Sequence, residues 1–135
     1  MPLQKRLNFL ALLLTLSLAA ASDAAAAPVD EHFFETRIRP VLIEKCFKCH
    51  GREKASSEFR VDSRDALLKG GELGAAVVPG KPEDSLLLQA IDPANEVLQM
   101  PPDDPLPANV VLDFRTWIES GAAWPKSVGN GPDAA

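Results

Sequence analysis

The chain has 135 residues, with 14 Lys and Arg against 19 Asp and Glu, and its formal net charge at pH 7 is −5. This acidic balance excludes proteins that bind nucleic acid or an anionic membrane surface, because both classes need patches of Lys and Arg. Twelve prolines and eight glycines, with few runs of β-branched residues, predict an all-α domain of short helices and loops rather than a sheet.

The first 21 residues are typical of a secretory signal peptide. Lys5 and Arg6 precede a leucine-rich core, and alanine runs after it offer small-residue cleavage sites. The apolar core is shorter than the roughly 20 residues that span a bilayer. We expect cleavage near Ala21, or as late as residue 27, and export to the periplasm or an equivalent space without a transmembrane span in the mature chain. The mature protein would be two charges more negative than the whole chain.

A single domain is predicted over residues 28–125. Asp30 can cap its first helix, whose apolar residues recur at helical spacing: Phe33, Phe34, Ile38, Val41 and Leu42. Pro40 lies inside this pattern, where a proline removes a backbone donor and disfavours helix at Arg39. We therefore expect a kink at Pro40, or two short helices in place of one.

Three more helices are predicted further along the chain. Ser63 can cap a short helix that the pair Gly70-Gly71 ends. Pro82 begins another, with acidic residues in its first turn and Leu86, Leu87, Leu88 and Ile91 towards the core. From Pro107 the apolar residues Val110, Val111, Phe114, Trp117 and Ile118 repeat every three to four positions as far as Gly121. Residues 126–135 have little to bury and form a predicted flexible tail.

The segment Cys46-Phe47-Lys48-Cys49-His50 carries the chemistry of the chain. Two thiols at this spacing with an adjoining histidine are the pattern for covalent attachment of one haem c. A thioredoxin-like CxxC is disfavoured because no βαβ pattern surrounds it. Half a zinc site is disfavoured because a closed site needs four ligands and only His32 remains among the histidines and cysteines. Cys46 and Cys49 are the expected anchors, and His50 is the expected iron ligand.

Met100 is the leading candidate for the second axial ligand. It lies in a helix-free stretch followed by two prolines, which stiffen the loop and favour an extended backbone at Met100. The ordinary role of a methionine is to fill a core gap, but few aliphatic residues surround this one in sequence. His32 is the competitor and would give a bis-histidine haem, although its acidic neighbours place it more simply on an exposed helix face.

Further segments carry a resemblance to a known family. They are Phe34-x-x-x-Ile38-x-Pro40-Val41-Leu42 leading into residues 46–51, then RVDSR (60–64), LLKGG (67–71), VVPGKP (77–82), SLL (85–87), MPP (100–102) and WIESGA (117–122). Over residues 30–125 the chain resembles the planctomycete-type cytochrome c domain, a branch of the class I cytochromes c. Such domains often stand at the head of longer proteins, so we expect a stand-alone or truncated copy.

The resemblance implies a small helical fold around one haem c, with Cys46 and Cys49 as thioether anchors, His50 as proximal ligand and Met100 as distal ligand. It also implies that Trp117 and Phe114 pack against the first helix, and that the loop at residues 77–82 closes over one haem edge. Residues 56–59 replace an expected glycine-rich turn, so the resemblance does not determine the shape of that loop.

Outer-sphere electron transfer to a protein redox partner is the first functional hypothesis, and no enzymatic activity is expected. Lys45, Lys48, Arg52 and Lys54 form a basic cluster near the motif that is either a docking surface or a set of solvated loop residues. The alternative is a peroxidase-like or gas-binding haem module with a labile sixth ligand, acting with a separately encoded enzyme. No distal acid/base pair is evident in the sequence for that chemistry.

Overall fold

A computed structural model describes residues 29–125 of the chain. The predicted signal peptide, residue 28 and the predicted tail at residues 126–135 lie outside this range. The described residues form helices and loops with no strand, which confirms the predicted all-α class. Among them, none of the helices has both the length and the apolar character that a bilayer span requires.

The first helix, α1, is continuous over residues 31–50. It is α-helical at Glu31–Phe33, Arg39–Val41 and Phe47–His50, and π-helical at Phe34–Ile38 and Leu42–Cys46. Asp30 caps it as predicted, since its side chain accepts a hydrogen bond from Phe33 N at 3.0 Å. Of the two alternatives expected at Pro40, a kink or two short helices, the break into two helices is wrong, because the helix continues through the proline.

Pro40 is accommodated by a wide turn. In an α-helix its ring would clash with the carbonyl of Thr36, four residues earlier. Here the turn before it is π-helical, and Arg39 N donates to Phe34 O, five residues back. The extra residue in this turn lets the helix pass the proline without ending.

Two of the remaining helices follow their sequence patterns. Helix α2 covers Arg64–Lys69, and Ser63 caps it by accepting from Ala66 N at 3.2 Å. Gly70 ends it with a φ of +70°, a conformation that suits glycine because it has no Cβ. The last described helix, α4, covers Ala108–Glu119.

The predicted helix beginning at Pro82 is two elements instead of one. A 3₁₀ turn at Pro82–Asp84 is followed by helix α3 at Leu86–Ile91. Ser85 separates them with an extended backbone and is fully buried. Its hydroxyl accepts from Val78 N and donates to Lys81 O, both at 2.9 Å. These bonds hold Ser85 out of helical geometry.

The core lies between α1, α3 and α4. Its buried apolar residues come from α1 (Phe34, Ile38, Leu42), α2 (Leu67), α3 (Leu87, Leu88, Ile91), α4 (Phe114, Trp117, Ile118) and the loops (Val61, Ala76, Val77, Leu106, Ala122). Phe34 and Trp117 are in ring contact, so the prediction that α4 packs on α1 through Trp117 is confirmed. This packing fixes the carboxyl end of α1, where the haem motif lies.

Candidate functional site

A cavity of about 500 Å³ opens at the carboxyl end of α1. Its walls come from α1, the turns at residues 56–59 and 71–74, α3 and the loop at residues 98–102. The volume lies in the range of about 300–1,000 Å³ that is common for ligand sites. Most of the lining is apolar, as a large flat organic cofactor requires.

Cys46 and Cys49 both line this cavity and are half-buried, and neither is in a disulfide. They lie in the last turns of α1, where the second π-helical stretch gives way to Phe47–His50. Burial raises the pKa of the Cys46 thiol to about 11, because a thiolate is poorly solvated there. Cys46 is therefore a neutral thiol at pH 7 in the folded, haem-free chain.

The imidazole of His50 is oriented by the loop that follows α1. Its Nδ1 lies 3.2 Å from Phe59 O, and because a carbonyl oxygen only accepts, Nδ1 carries the proton in this hydrogen bond. The Phe59 ring lies 5.1 Å from the imidazole, between ring centroids. In the neutral imidazole this hydrogen bond leaves the lone pair on Nε2, which is the state in which a histidine binds a metal ion.

The loop after α1 is itself held in place. His50 O accepts from Val61 N at 2.9 Å, and Ser57 and Glu58 have φ values of +56° and +54°. A glycine-rich turn was expected here from the resemblance, and these two residues adopt the left-handed backbone that glycine would supply. The turn thus keeps its left-handed shape without glycine.

Met100 lines the same cavity and has 40 % of its surface exposed. It lies in the helix-free stretch after α3, as predicted, and its backbone N donates to Ala90 O at 2.7 Å. His32 is exposed in the first turn of α1 and is not among the cavity residues. The fold therefore brings Cys46, Cys49, His50 and Met100 together and leaves His32 apart.

The donor set fits a haem c. Two thiols, one imidazole with a free Nε2 and one thioether line an apolar cavity, and these are the groups that attach a haem and coordinate its iron from two sides. Among residues 29–125 there is no cluster of three or more His, Cys, Asp or Glu arranged to hold a metal ion directly.

One implied role is not supported by the geometry. The loop at residues 77–82 is absent from the cavity lining. Val77 and Pro82 are buried, and Gly80 N donates to Ile118 O at 2.8 Å. The loop packs on α4 because its apolar residues are used in the core.

Within the basic cluster, Lys45 contacts a distant acidic residue. Lys45 forms an ion pair with Asp104 at 2.7 Å, and the hydrogen bond and charge of Asp104 raise the pKa of Lys45. Lys48, Arg52 and Lys54 are exposed. The Lys45 contact was missed from the sequence because 59 residues separate the two partners and nothing local signals their approach.

A family model described as planctomycete cytochrome C matches residues 46–104 of the chain. This match confirms the resemblance to the planctomycete-type cytochrome c domain. The matched segment begins at Cys46 and contains Cys46, Cys49, His50 and Met100, whereas α4 and most of α1 lie outside it. The family implies haem-based electron transfer. No curated protein and no solved structure matches the chain significantly.

Proposed function

We propose that the chain is an exported c-type cytochrome that transfers single electrons through one covalently bound haem c. The observation that carries this proposal is the convergence of Cys46, Cys49, His50 and Met100 on one apolar cavity. When bound, the haem supplies an iron atom that accepts and releases one electron. The polypeptide supplies attachment, orientation and exclusion of water.

Each of the four residues has a distinct role in the proposal. The S–H of Cys46 and that of Cys49 would each add across a vinyl group of the haem, and the two thioether bonds would keep the cofactor in the cavity. His50 would coordinate the iron through Nε2, with Nδ1 held on Phe59 O. Met100 Sδ would be the second protein ligand of the iron, and because a thioether is a weak donor to ferric iron, it would raise the reduction potential.

Outer-sphere transfer follows if both axial positions stay filled, since no substrate then reaches the iron. A redox protein would dock where the cavity opens. Lys48 and Lys54, which are exposed within and shortly after residues 46–50, give an acidic protein local positive charge near the motif. Export is part of the proposal because residues 1–21 are typical of a signal peptide, and cytochrome c domains are typically extracytoplasmic.

The second candidate, a peroxidase-like or gas-binding module, is favoured by two observations. Met100 is partly exposed, and the carboxylate-bearing Glu72 lines the cavity. A labile thioether and a nearby carboxylate are what a reactive open site would use.

Absorption spectra of the purified, haem-loaded protein test the two candidates. An electron carrier shows the weak ferric band at ~695 nm that thioether ligation gives, and Met100→Ala abolishes it. Leu73→Ala, which trims another exposed cavity residue, serves as the matched control and keeps the band. A missing band in the unmutated protein, with ready binding of carbon monoxide by the ferrous form, would favour the second candidate.

A further inference from the structure

The loop that carries Met100 is fixed on one side by α3. Met100 N donates to Ala90 O at 2.7 Å, and the Asn95 amide donates to Gln89 O at 3.0 Å. These bonds hold the beginning of the loop against α3. They leave the part after Met100 without an attachment to the opposite cavity wall, which is α1.

A single polar contact supplies that attachment. Lys45 Nζ donates to Asp104 Oδ2 at 2.7 Å, and among residues 29–125 this is the one hydrogen bond or ion pair that joins α1 to the loop at residues 92–107. Lys45 immediately precedes Cys46 and lines the cavity. Asp104 follows Met100 by four positions.

The segment between Met100 and Asp104 is suited to transmit this contact. It contains Pro101 and Pro102, and Pro105 follows. Because each proline ring fixes φ, the segment has few conformations open to it. A restraint on the carboxylate of Asp104 therefore restricts where the Met100 thioether can lie.

We propose that the Lys45–Asp104 ion pair is a positioning contact that closes the Met100 loop across the cavity and keeps the thioether on the iron. This inference rests on the proposed function, in which Met100 is the axial ligand. The pair acts through Met100 and does not itself touch the iron. Both side chains are exposed, Lys45 at 41 % and Asp104 at 68 %, so the contact is weakened by salt.

Imidazole binding to the ferric, haem-loaded full chain tests the proposal, because imidazole competes with Met100 for the iron. Asp104→Asn removes the charge and keeps the size of the side chain. We expect it to tighten imidazole binding about two- to fivefold at low salt, the range that an exposed ion pair worth up to ~1 kcal/mol gives. Raising the salt concentration should tighten binding to the unmutated protein and leave Asp104→Asn unchanged.

Asp103→Asn is the matched control. Asp103 is the exposed neighbour of Asp104 and makes no hydrogen bond or ion pair among the described residues. Its variant should bind imidazole as the unmutated protein does. Lys45→Gln should match Asp104→Asn, and the double variant should show no further gain, since either change alone removes the pair.

The outcomes separate this inference from the proposed function. If the ~695 nm band is present and depends on Met100, but Asp104→Asn binds imidazole like the unmutated protein, the positioning role is overturned and electron transfer stands. An equal effect of Asp103→Asn would also overturn it, because loop charge and not the pair would then be responsible. If the band is absent from the unmutated protein, Met100 is not a ligand and both proposals fall.

Discussion

The rings of Phe34 and Trp117 lie 5.6 Å apart between centroids, and this contact joins the first described helix to the last. Both side chains are fully buried, and Trp117 Nε1 donates to Ala123 O at 2.7 Å. One tryptophan thus closes the core and fixes the turn that follows α4.

Replacing Trp117 should destabilise the whole domain. Trp117→Leu removes the ring contact with Phe34 and leaves Ala123 O without its donor, so we expect a loss of about 2–4 kcal/mol in the free energy of unfolding. Urea denaturation of the haem-loaded protein measures it. Leu112→Ala, on the same helix but 60 % exposed, should change stability by less than about 0.5 kcal/mol, and an equal loss in both variants would contradict this account.

Asn95 organises the beginning of the Met100 loop. Its side-chain oxygen accepts from Val97 N and Leu98 N, both at 3.2 Å, in addition to the bond from its amide to Gln89 O. We expect Asn95→Ala to cost about 1–2 kcal/mol of unfolding free energy, because these backbone groups lose their partner. Chemical denaturation checks the value, and Glu96→Ala, an exposed neighbour, should leave stability unchanged within experimental error.

The raised pKa of Cys46 predicts how the haem-free chain reacts with alkylating agents. Only the thiolate reacts, and burial disfavours it, so at pH 8 the folded chain carries about 100-fold less Cys46 thiolate than an unfolded one. In a Cys49→Ser variant, alkylation by iodoacetamide should be slow at pH 8 and accelerate towards pH 11. Adding urea at pH 8 should remove the protection; a rate independent of urea would show that the haem-free chain does not bury Cys46.

The raised pKa of Cys46 also makes the free energy of unfolding of the haem-free chain depend on pH. The pKa of Cys46 is about 11 in the folded chain, which is above its value in the unfolded chain. The contribution of Cys46 to the free energy of unfolding is therefore fully present below the unfolded pKa, and it is lost as the pH rises through about 11. Cys46→Ser removes the ionisation and should flatten that part of the profile.

Gly70 and Gly80 both have a positive φ, but only Gly70 also lacks room for a side chain. A Cβ on Gly70 would lie 1.8 Å from Gly74 O, whereas one on Gly80 would meet nothing within 4 Å. Gly80→Ala should therefore cost about 1 kcal/mol from backbone strain alone, and Gly70→Ala about 3 kcal/mol or more. Thermal unfolding of both variants tests the difference; equal melting temperatures would contradict it.

Local signals in the sequence predicted much of this fold. The cap at Ser63, the stop at Gly70 and the apolar spacing in α4 each depend on residues within one or two helical turns, and the structure confirms them. Residues 46–50 and Met100 were predicted as the haem site because the chemistry of their side chains is distinctive. Their arrival at one cavity agrees with that interpretation.

The errors came from interactions that local patterns do not contain. Ser85 breaks the predicted helix because its hydroxyl bonds to Val78 and Lys81, and a serine before three leucines gives no sign of that. The resemblance implied that the loop at residues 77–82 covers a haem edge, yet its Val77 and Pro82 are buried in the core. Lys45 and Asp104 meet only once the chain has folded.

The wide turns of α1 change the rotational phase of the helix. In a regular α-helix, every fourth residue advances about 40° beyond a full turn, and four such steps add up to about 160°. His50 would then face nearly away from Phe34. The two π-helical stretches take up extra residues per turn, so Phe34, Ile38 and Leu42, all fully buried, stay in line with Cys46 and His50. The row of residues that packs in the core therefore continues into Cys46 and His50, which line the cavity.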